Sequence, residues 1–361
     1  MSRIGPLSLS AQPSQPHLSL ARSPQKILII PLRYIGDTIL TVPLIRNLRY
    51  QFPNAQIDVL ASRVSAPLLE LCPYLNQVLI EPKSSAARLK LLQQNGYDTV
   101  FLLRKSISMA MLCQLAGIPH RIGYDKQRFP WGYQRWGWCL SHQAKYPSLR
   151  TTVPQAVSHL SLLQAFGLPS QDNHLELWNT PEEDQRITTI LAENGIQAGQ
   201  PLAVLHAASA SHGKQIDLDK FSVSLQALHN AGYAILATGT AQDEAGYNAL
   251  AKASNTPVIN LAGKTSLRET VALYRRTQLL LTVDSSPIHI GAATGVPQIV
   301  GVFGPTNALQ WGPHNPAAHF HPVFMELPCR PCYAKVCAHN QCRTLLTAEQ
   351  IKKAVQQSLA P

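Results

Sequence analysis

No stretch of this 361-residue chain approaches the roughly 18 consecutive apolar residues that a membrane-spanning helix requires. The first 23 residues, rich in Ser, Pro and Gln, hold no continuous apolar core. That argues against a cleaved export signal and leaves residues 1–23 as a disordered lead-in. Negative charge is scarce: 20 Asp and Glu stand against 31 Lys and Arg, for a net charge of +11. Dense basic runs are missing, and so is the interleaving of aromatic with basic side chains that nucleic-acid binders use. The cationic excess therefore points to phosphorylated substrates or an anionic membrane surface, and away from nucleic acid. Seven cysteines are an odd number for a disulfide framework, and without an export signal they indicate a reducing, cytoplasmic setting.

What is present suits a globular protein with well-buried sheets: 45% of the residues are hydrophobic and 14% charged. The length exceeds what one core usually accommodates, so two domains are expected. Residues 26–32 form a short apolar run of the buried parallel-strand type, followed by a loop at 33–38 and an amphipathic stretch at 39–52. Pro43 implies that this helix is kinked or starts late. Strands at 56–60, 77–80 and 97–103 then alternate with helices at 84–94 and 107–116, which reads as a doubly wound parallel sheet. Residues 125–152 are rich in Trp, Tyr, Gln and Arg and have no clear period. A helix at 156–166 precedes the polar cluster Ser170-Gln171-Asp172-Asn173, which marks a linker. The domains are thus 24–175 and 176–361. The second half repeats the alternation, with strands at 201–206, 233–239 and 258–261.

The organising stretch is Val283-Asp284-Ser285-Ser286-Pro287-Ile288-His289, which follows the apolar run Leu279-Leu280-Leu281. A strand that ends in Asp-Ser-Ser and turns directly into a helix delivers polar side chains and unpaired backbone N–H groups to a sheet edge, where anions bind. The next strand ends in Phe303-Gly304-Pro305-Thr306 and is followed by Trp311-Gly312-Pro313. Two consecutive strand ends therefore feed one crevice.

This segment resembles the nucleotide-sugar-binding signature of glycosyltransferase family 9, the heptosyltransferase-like enzymes, whose pattern runs V-D-S/T-G-x-x-H, G-V-P, F-G-P-T, W-G-P. The likeness extends over residues 26–358. It includes the N-terminal strand-loop-helix with Gly36-Asp37 and the segment His120-Arg121-Ile122-Gly123-Tyr124. The resemblance implies a GT-B architecture: two Rossmann-like domains face a cleft, the N-terminal one holding the acceptor and the C-terminal one the nucleotide sugar. It also implies an inverting, metal-independent transfer with no cofactor. The usual family donor is ADP-heptose, and the usual acceptor is a growing lipopolysaccharide core at the cytoplasmic face of the membrane.

Carried onto this chain, the resemblance makes Asp37 the catalytic base. Read alone, Asp37 is a helix N-cap, and a carboxylate near a helix N-terminus stays ionised, as a base requires. Ser209 and Lys214, after the strand at 201–206, match the family's diphosphate loop, and hydroxyls with one ammonium suit that role. Ile216 and Asp217 replace its Trp-Pro. Gly239, Glu244 and Thr265 fall where the family contacts ribose and base, although acidic residues at a helix start also satisfy the helix dipole. Asp284, Ser285, Ser286, His289, Gly304 and Thr306 complete the donor site, with Ser286 in the usual Gly position and Asn307 replacing the frequent Asp. Asp284 would repel a diphosphate unless it orients Lys214, caps the helix or accepts a sugar hydroxyl; orientation is the expectation. Arg33, Arg104, Lys105 and Arg121 follow strand ends and are candidate acceptor contacts, or ordinary surface charges.

Cys329, Cys332, Cys337 and Cys342 place four thiols within fourteen residues. This spacing fits a structural zinc only loosely, and free thiols or redox-labile pairs are the other reading. Cys72, Cys113 and Cys139 read as small buried apolar residues. A sugar-nucleotide epimerase or hydrolase, and a non-catalytic binding protein, are the alternative classes.

Overall fold

The computed structural model describes residues 23–129, 132–135, 137–145, 148 and 150–360, with only the backbone of 126–129 and 132–135. All of the expected lead-in except Ser23 lies outside this range. The first strand, β1 (Lys26–Ile30), is buried along Ile27 to Ile30, as a strand packed on both faces must be. It leads into two helices, α1 (Ile35–Ile39) and α2 (Val42–Gln51), where one was expected. Pro43 is the second residue of α2, where its missing N–H costs nothing; further inside a continuous helix it would remove a hydrogen bond and clash. The late start isolates a single turn, α1, that carries Gly36 and Asp37.

The sheet continues through β2 (Gln56–Ala61), β3 (Gln77–Ile80), β4 (Thr99–Leu102) and β5 (His120–Tyr124), with α3 (Ser85–Asn95) and α4 (Ile107–Leu115) as crossovers. Ser84 and Ser106 cap these helices by accepting from the backbone N–H of Ala87 and Met109. The region without a period holds an antiparallel hairpin, β6 (Lys126–Phe129) and β7 (Gly132–Arg135), and a short edge strand, β8 (His142–Ala144). Helix α5 (Gln155–Ala165) closes the domain. The sheet is parallel throughout, in the order β3-β2-β1-β4-β5-β8.

After α6 (Pro181–Glu193) the second sheet forms from β9 (Leu202–His206), β10 (Ala234–Ala237), β11 (Ile259–Asn260), β12 (Leu279–Val283), β13 (Gln298–Phe303) and β14 (His319–Phe324). Its order, β11-β10-β9-β12-β13-β14, repeats the first. Between these strands run α7 (Ser222–Asn230), α8 (Glu244–Ser254), α9 (Leu267–Tyr274), α10 (Ser286–Thr294) and α11 (Ala308–Trp311). Helix α12 (Gln341–Thr344) and the final helix α13 (Ala348–Leu359) follow β14. Ser266 caps α9 in a reciprocal box with Glu269.

The two domains share one apolar cluster. Ile39, Leu40, Leu68 and Ala156 from the first pack with Val271, Tyr274 and Ile290 from the second. The linker is tied down by Arg46 of α2. Its fully buried guanidinium meets Asp172 at 2.6 Å, Glu176 at 2.6 Å and the His174 carbonyl at 2.7 Å. Removing it strands two carboxylates that are about a quarter exposed and can partly rehydrate. Arg46→Met is expected to lower unfolding free energy by about 2–3 kcal/mol in urea titrations followed by Trp fluorescence; a loss under about 0.5 kcal/mol would contradict this.

Candidate active site

In a parallel sheet of this order, the loops after the first and fourth strands diverge, and a crevice opens at their carboxyl ends. The chain builds two such crevices and sets them face to face. From the first domain come α1, after β1, and Arg104-Lys105-Ser106, after β4. The second domain supplies residues 207–215 after β9, Asp284-Ser285 after β12 and Gly304-Pro305-Thr306 after β13. Gly36 is where they touch: a Cβ there would sit 2.8 Å from Cδ2 of His289 on α10. Only glycine permits that approach.

Asp37 is the third residue of α1, and Tyr34 occupies the N-cap position, so the capping role read from sequence does not hold. Its carboxyl is buried, and Oδ1 has no hydrogen-bond partner. Burial pushes the carboxyl up to about 6, although Lys214 and Lys105 pull it down; Asp284 adds to the rise. The helix start and both lysines favour the charged form, but desolvation outweighs them and raises the carboxyl while leaving it mostly ionised at neutral pH. Burial likewise pushes Lys105 down to about 8, opposed by Asp37. Groups from both domains thus act on a single carboxyl.

Across the cleft, Lys214 Nζ lies 2.9 Å from Asp284 Oδ2, and the Thr306 hydroxyl donates to the same oxygen. Asp284 is nearly buried, so Lys214 is held by an ion pair that is itself anchored to the next strand end. An Asp284 that orients Lys214 would need this geometry. Lys214 Nζ also sits 5.8 Å from the Trp311 ring. Ser285 is the N-cap of α10 and donates to the Ala208 carbonyl at 3.3 Å; Ser286 opens the helix. His289 is buried and pushed down to about 3 by burial and then by Lys214, so its ring is neutral, with Nδ1 unpartnered. The loops of Gly213 and Gly304 meet closely, since a Cβ on Gly304 would stand 3.1 Å from the Gly213 carbonyl. Ser209 accepts from the Ser211 N–H at 3.3 Å. Asn307 donates to the Thr151 carbonyl of the other domain at 2.7 Å.

At the far edge of this crevice Asp243 closes a capping box with Thr240, directly over Gly239. Glu244, the first residue of α8, is left half exposed and 3.5 Å from Lys264 Nζ. The Thr265 hydroxyl pairs with Thr270 at 3.2 Å.

The expected acceptor residues separate. Arg33 and Arg104 both fork onto Glu81, at 2.8 and 3.1 Å and at 2.8 and 2.7 Å. Burial disfavours a charge on Glu81, yet Arg104 and Arg33 outweigh it and hold the carboxyl down to about 2. Much of their charge is therefore spent within the domain. Arg121 corrects the sequence reading: it lies at the amino end of β5, where its guanidinium binds the Ile118, Pro119 and Cys139 carbonyls. That is the edge of the sheet away from the cleft. Of the four, Lys105 is the one that acts on Asp37.

The four clustered thiols are reduced and line one cavity of about 360 Å³. Among the described residues no three His, Cys, Asp or Glu side chains are gathered as a metal ion requires. Cys72 and Cys113 are buried, with thiols pushed up to about 12 by burial, in keeping with small core residues. Sequence reading missed Glu81, which has no motif, and also Arg330 and Arg343, whose neighbouring cysteines drew attention to sulfur.

The unfolded-chain carboxyl titrates near 4 and the folded one near 6, so Asp37 ionises only as pH rises through about 6. A 13C NMR titration of Asp-labelled protein is expected to show one carboxyl with a midpoint near 6 that vanishes in Asp37→Asn. Midpoints all below about 4.5 would contradict the burial argument.

The sequence profile of glycosyltransferase family 9 (heptosyltransferase) matches residues 86–342. Lipopolysaccharide heptosyltransferase 3 of Escherichia coli is 30% identical over 314 residues, 83% of this chain and 90% of that protein. Lipopolysaccharide heptosyltransferase 2 of Salmonella typhimurium is 26% identical, covering 78% and 83%. Among solved structures, the E. coli ADP-heptose lps heptosyltransferase II superposes with a TM-score of 0.72 at 22% identity, over 93% of this chain and 98% of that one. The E. coli heptosyltransferase WaaC with ADP gives a TM-score of 0.67 at 17% identity, over 92% and 100%. The two facing sheets are thus the GT-B fold, and the chain belongs to glycosyltransferase family 9, the heptosyltransferase family.

Proposed function

We propose that this glycosyltransferase moves a heptose from ADP-heptose onto a lipopolysaccharide-core acceptor by an inverting, metal-independent displacement. One observation carries the reading: Asp37, buried with Oδ1 unpartnered, lies within electrostatic range of a Lys214–Asp284 pair supplied by the other domain. The names of the similar proteins supply the sugar and the acceptor class.

In this mechanism Asp37 takes the proton of an acceptor hydroxyl, whose oxygen attacks the anomeric carbon as the carbon–oxygen bond to the diphosphate breaks. A base with a pKa near the working pH balances being ionised against being basic enough to accept the proton. Charge on the departing diphosphate is met by Lys214, by the Ser209 hydroxyl and by the amino end of α10, in the role a divalent cation fills elsewhere. Asp284 and Thr306 keep the ammonium at its station. Neutral His289 closes the floor without adding charge. Lys105 offers the first domain's positive charge to an anionic acceptor.

The net charge of +11 would favour an anionic membrane surface bearing a lipid-linked acceptor, on the cytoplasmic side where nucleotide sugars are made. No described helix is long and apolar enough to cross a membrane.

The test is a transfer assay with ADP-heptose, lipopolysaccharide-core acceptor and EDTA, the product's anomeric configuration being read by NMR. Inversion with full activity in EDTA is expected; sugar release without acceptor would indicate a hydrolase or epimerase instead. Asp37→Ala is expected to reduce turnover by about 10³-fold with ADP affinity little changed, and Asp284→Asn by about 10²-fold with a smaller loss of affinity. Wild-type turnover in either variant would remove that residue from the mechanism.

A further inference from the structure

The segment 327–344 has no part in the chemistry above, yet it touches both anion-binding loops of the second domain. Arg330 donates through Nε to the Gly304 carbonyl at 2.6 Å, through Nη2 to the Thr306 carbonyl at 3.0 Å and through Nη1 to the Met325 carbonyl at 2.7 Å. Its guanidinium stacks 4.4 Å over the Phe324 ring. The backbone N–H groups of Cys332 and Tyr333 reach the intervening Pro305 carbonyl, at 3.0 and 3.1 Å. Every carbonyl from Gly304 to Thr306 is therefore held from behind by this segment.

The same segment grips the other loop. Arg343 of α12 donates to the His212 carbonyl, two residues before Lys214, and its side chain runs 3.3 Å from the Cβ position of Gly304. Gly213 admits the Ala334 carbonyl, which would lie 2.6 Å from a Cβ there. The base of α12 is fastened in turn, because Lys220 Nζ binds the Arg343 and Thr344 carbonyls at 2.7 and 3.3 Å.

The geometry points to Arg330 and Arg343 as positioning residues for the donor diphosphate, acting as a brace that sets the 209–215 and 304–306 loops in register. The route is short. Arg330 fixes the Thr306 backbone, the Thr306 hydroxyl holds Asp284, and Asp284 holds Lys214. Arg343 fixes the loop on which Lys214 itself is carried. The planar fork of Arg330 meets three carbonyls from three separate nitrogens, a spread that the single nitrogen of an ammonium does not match. The charge of Arg330 is thus spent on backbone, and its effect on a ligand passes through the loops.

This assignment rests on the donor-site reading, and the experiment separates the two. Hydrogen exchange is measured on ligand-free wild type, Arg330→Met, Arg330→Lys and Arg343→Met, alongside calorimetric ADP titrations and donor kinetics. Arg330→Met is expected to accelerate exchange in peptides covering 207–216 and 303–312 and leave the first domain unchanged. It should raise the ADP dissociation constant and the donor KM about tenfold while kcat falls less. Arg330→Lys should not restore these values, and Arg343→Met should loosen the 207–216 peptide most.

Unchanged loop exchange, or exchange raised equally throughout the protein, overturns the brace. Full rescue by Arg330→Lys also overturns it, since that would make the charge, and not the fork, the working part. If Arg330→Met fails to fold, Arg343→Met carries the same loop-local test. If wild type binds no ADP, the donor reading fails, while the exchange pattern still decides the brace.

Discussion

The constraint on which the rest depends is the contact between α1 and α10, where the absence of a side chain at Gly36 lets the two crevices close on each other. That closure buries Asp37 without giving Oδ1 a partner. A buried orphan oxygen is costly in a stable fold, and it is tolerated where a ligand completes it. The same closure brings Lys214 and Asp284 within electrostatic range of a carboxyl on which its own domain acts through Lys105. Reactivity and interdomain packing are therefore one arrangement. The apolar cluster shared by Ile39, Leu40, Val271, Tyr274 and Ile290 fixes the distance at which it operates.

Running the same strand order twice gives the two halves of the site different characters. In the first domain Arg33, Arg88 and Arg104 all converge on Glu81, so three cations are held in place by one carboxylate. Lys105, outside that cluster, is the cation of this edge that acts on Asp37. In the second domain the strand ends hold one another through Lys214, Asp284 and Thr306, and the brace from 327–344 stands behind them. A preorganised cation needs no reorganisation as leaving-group charge develops. The cost of that rigidity is borne by ordinary backbone hydrogen bonds at the rear of the loops.

Much of the fold was legible because its signals are local. Apolar runs marked β1, β12 and β13, and Pro43 foretold a break that became the boundary between α1 and α2. The edge strands β8 and β14 went unread: β14 contains Pro322 and two histidines, and an edge strand needs neither an apolar run nor every N–H. The residues at the second domain's strand ends were legible through a motif whose members follow consecutive strands. The pairings in the first domain were not, because they are long-range. Glu81 lies 48 residues from Arg33 and 23 from Arg104, and no periodicity announces such a pairing. Arg121 was misplaced for the opposite reason: it was read as following a strand end, and it stands at the amino end of β5. The rise of the Asp37 carboxyl to about 6 was not legible, because a helix start is visible in sequence and desolvation is not.

The central claim is that protein groups alone meet the charge of a nucleoside diphosphate at the second domain. The most direct measurement is a thermal-shift comparison of ADP, UDP, GDP, dTDP and CMP on the purified chain, with and without Mg²⁺, because a ligand specific to the folded state raises the melting temperature by mass action. The account predicts a selective rise with ADP that is the same in both conditions. A rise that requires Mg²⁺, or none at millimolar ADP, would contradict it.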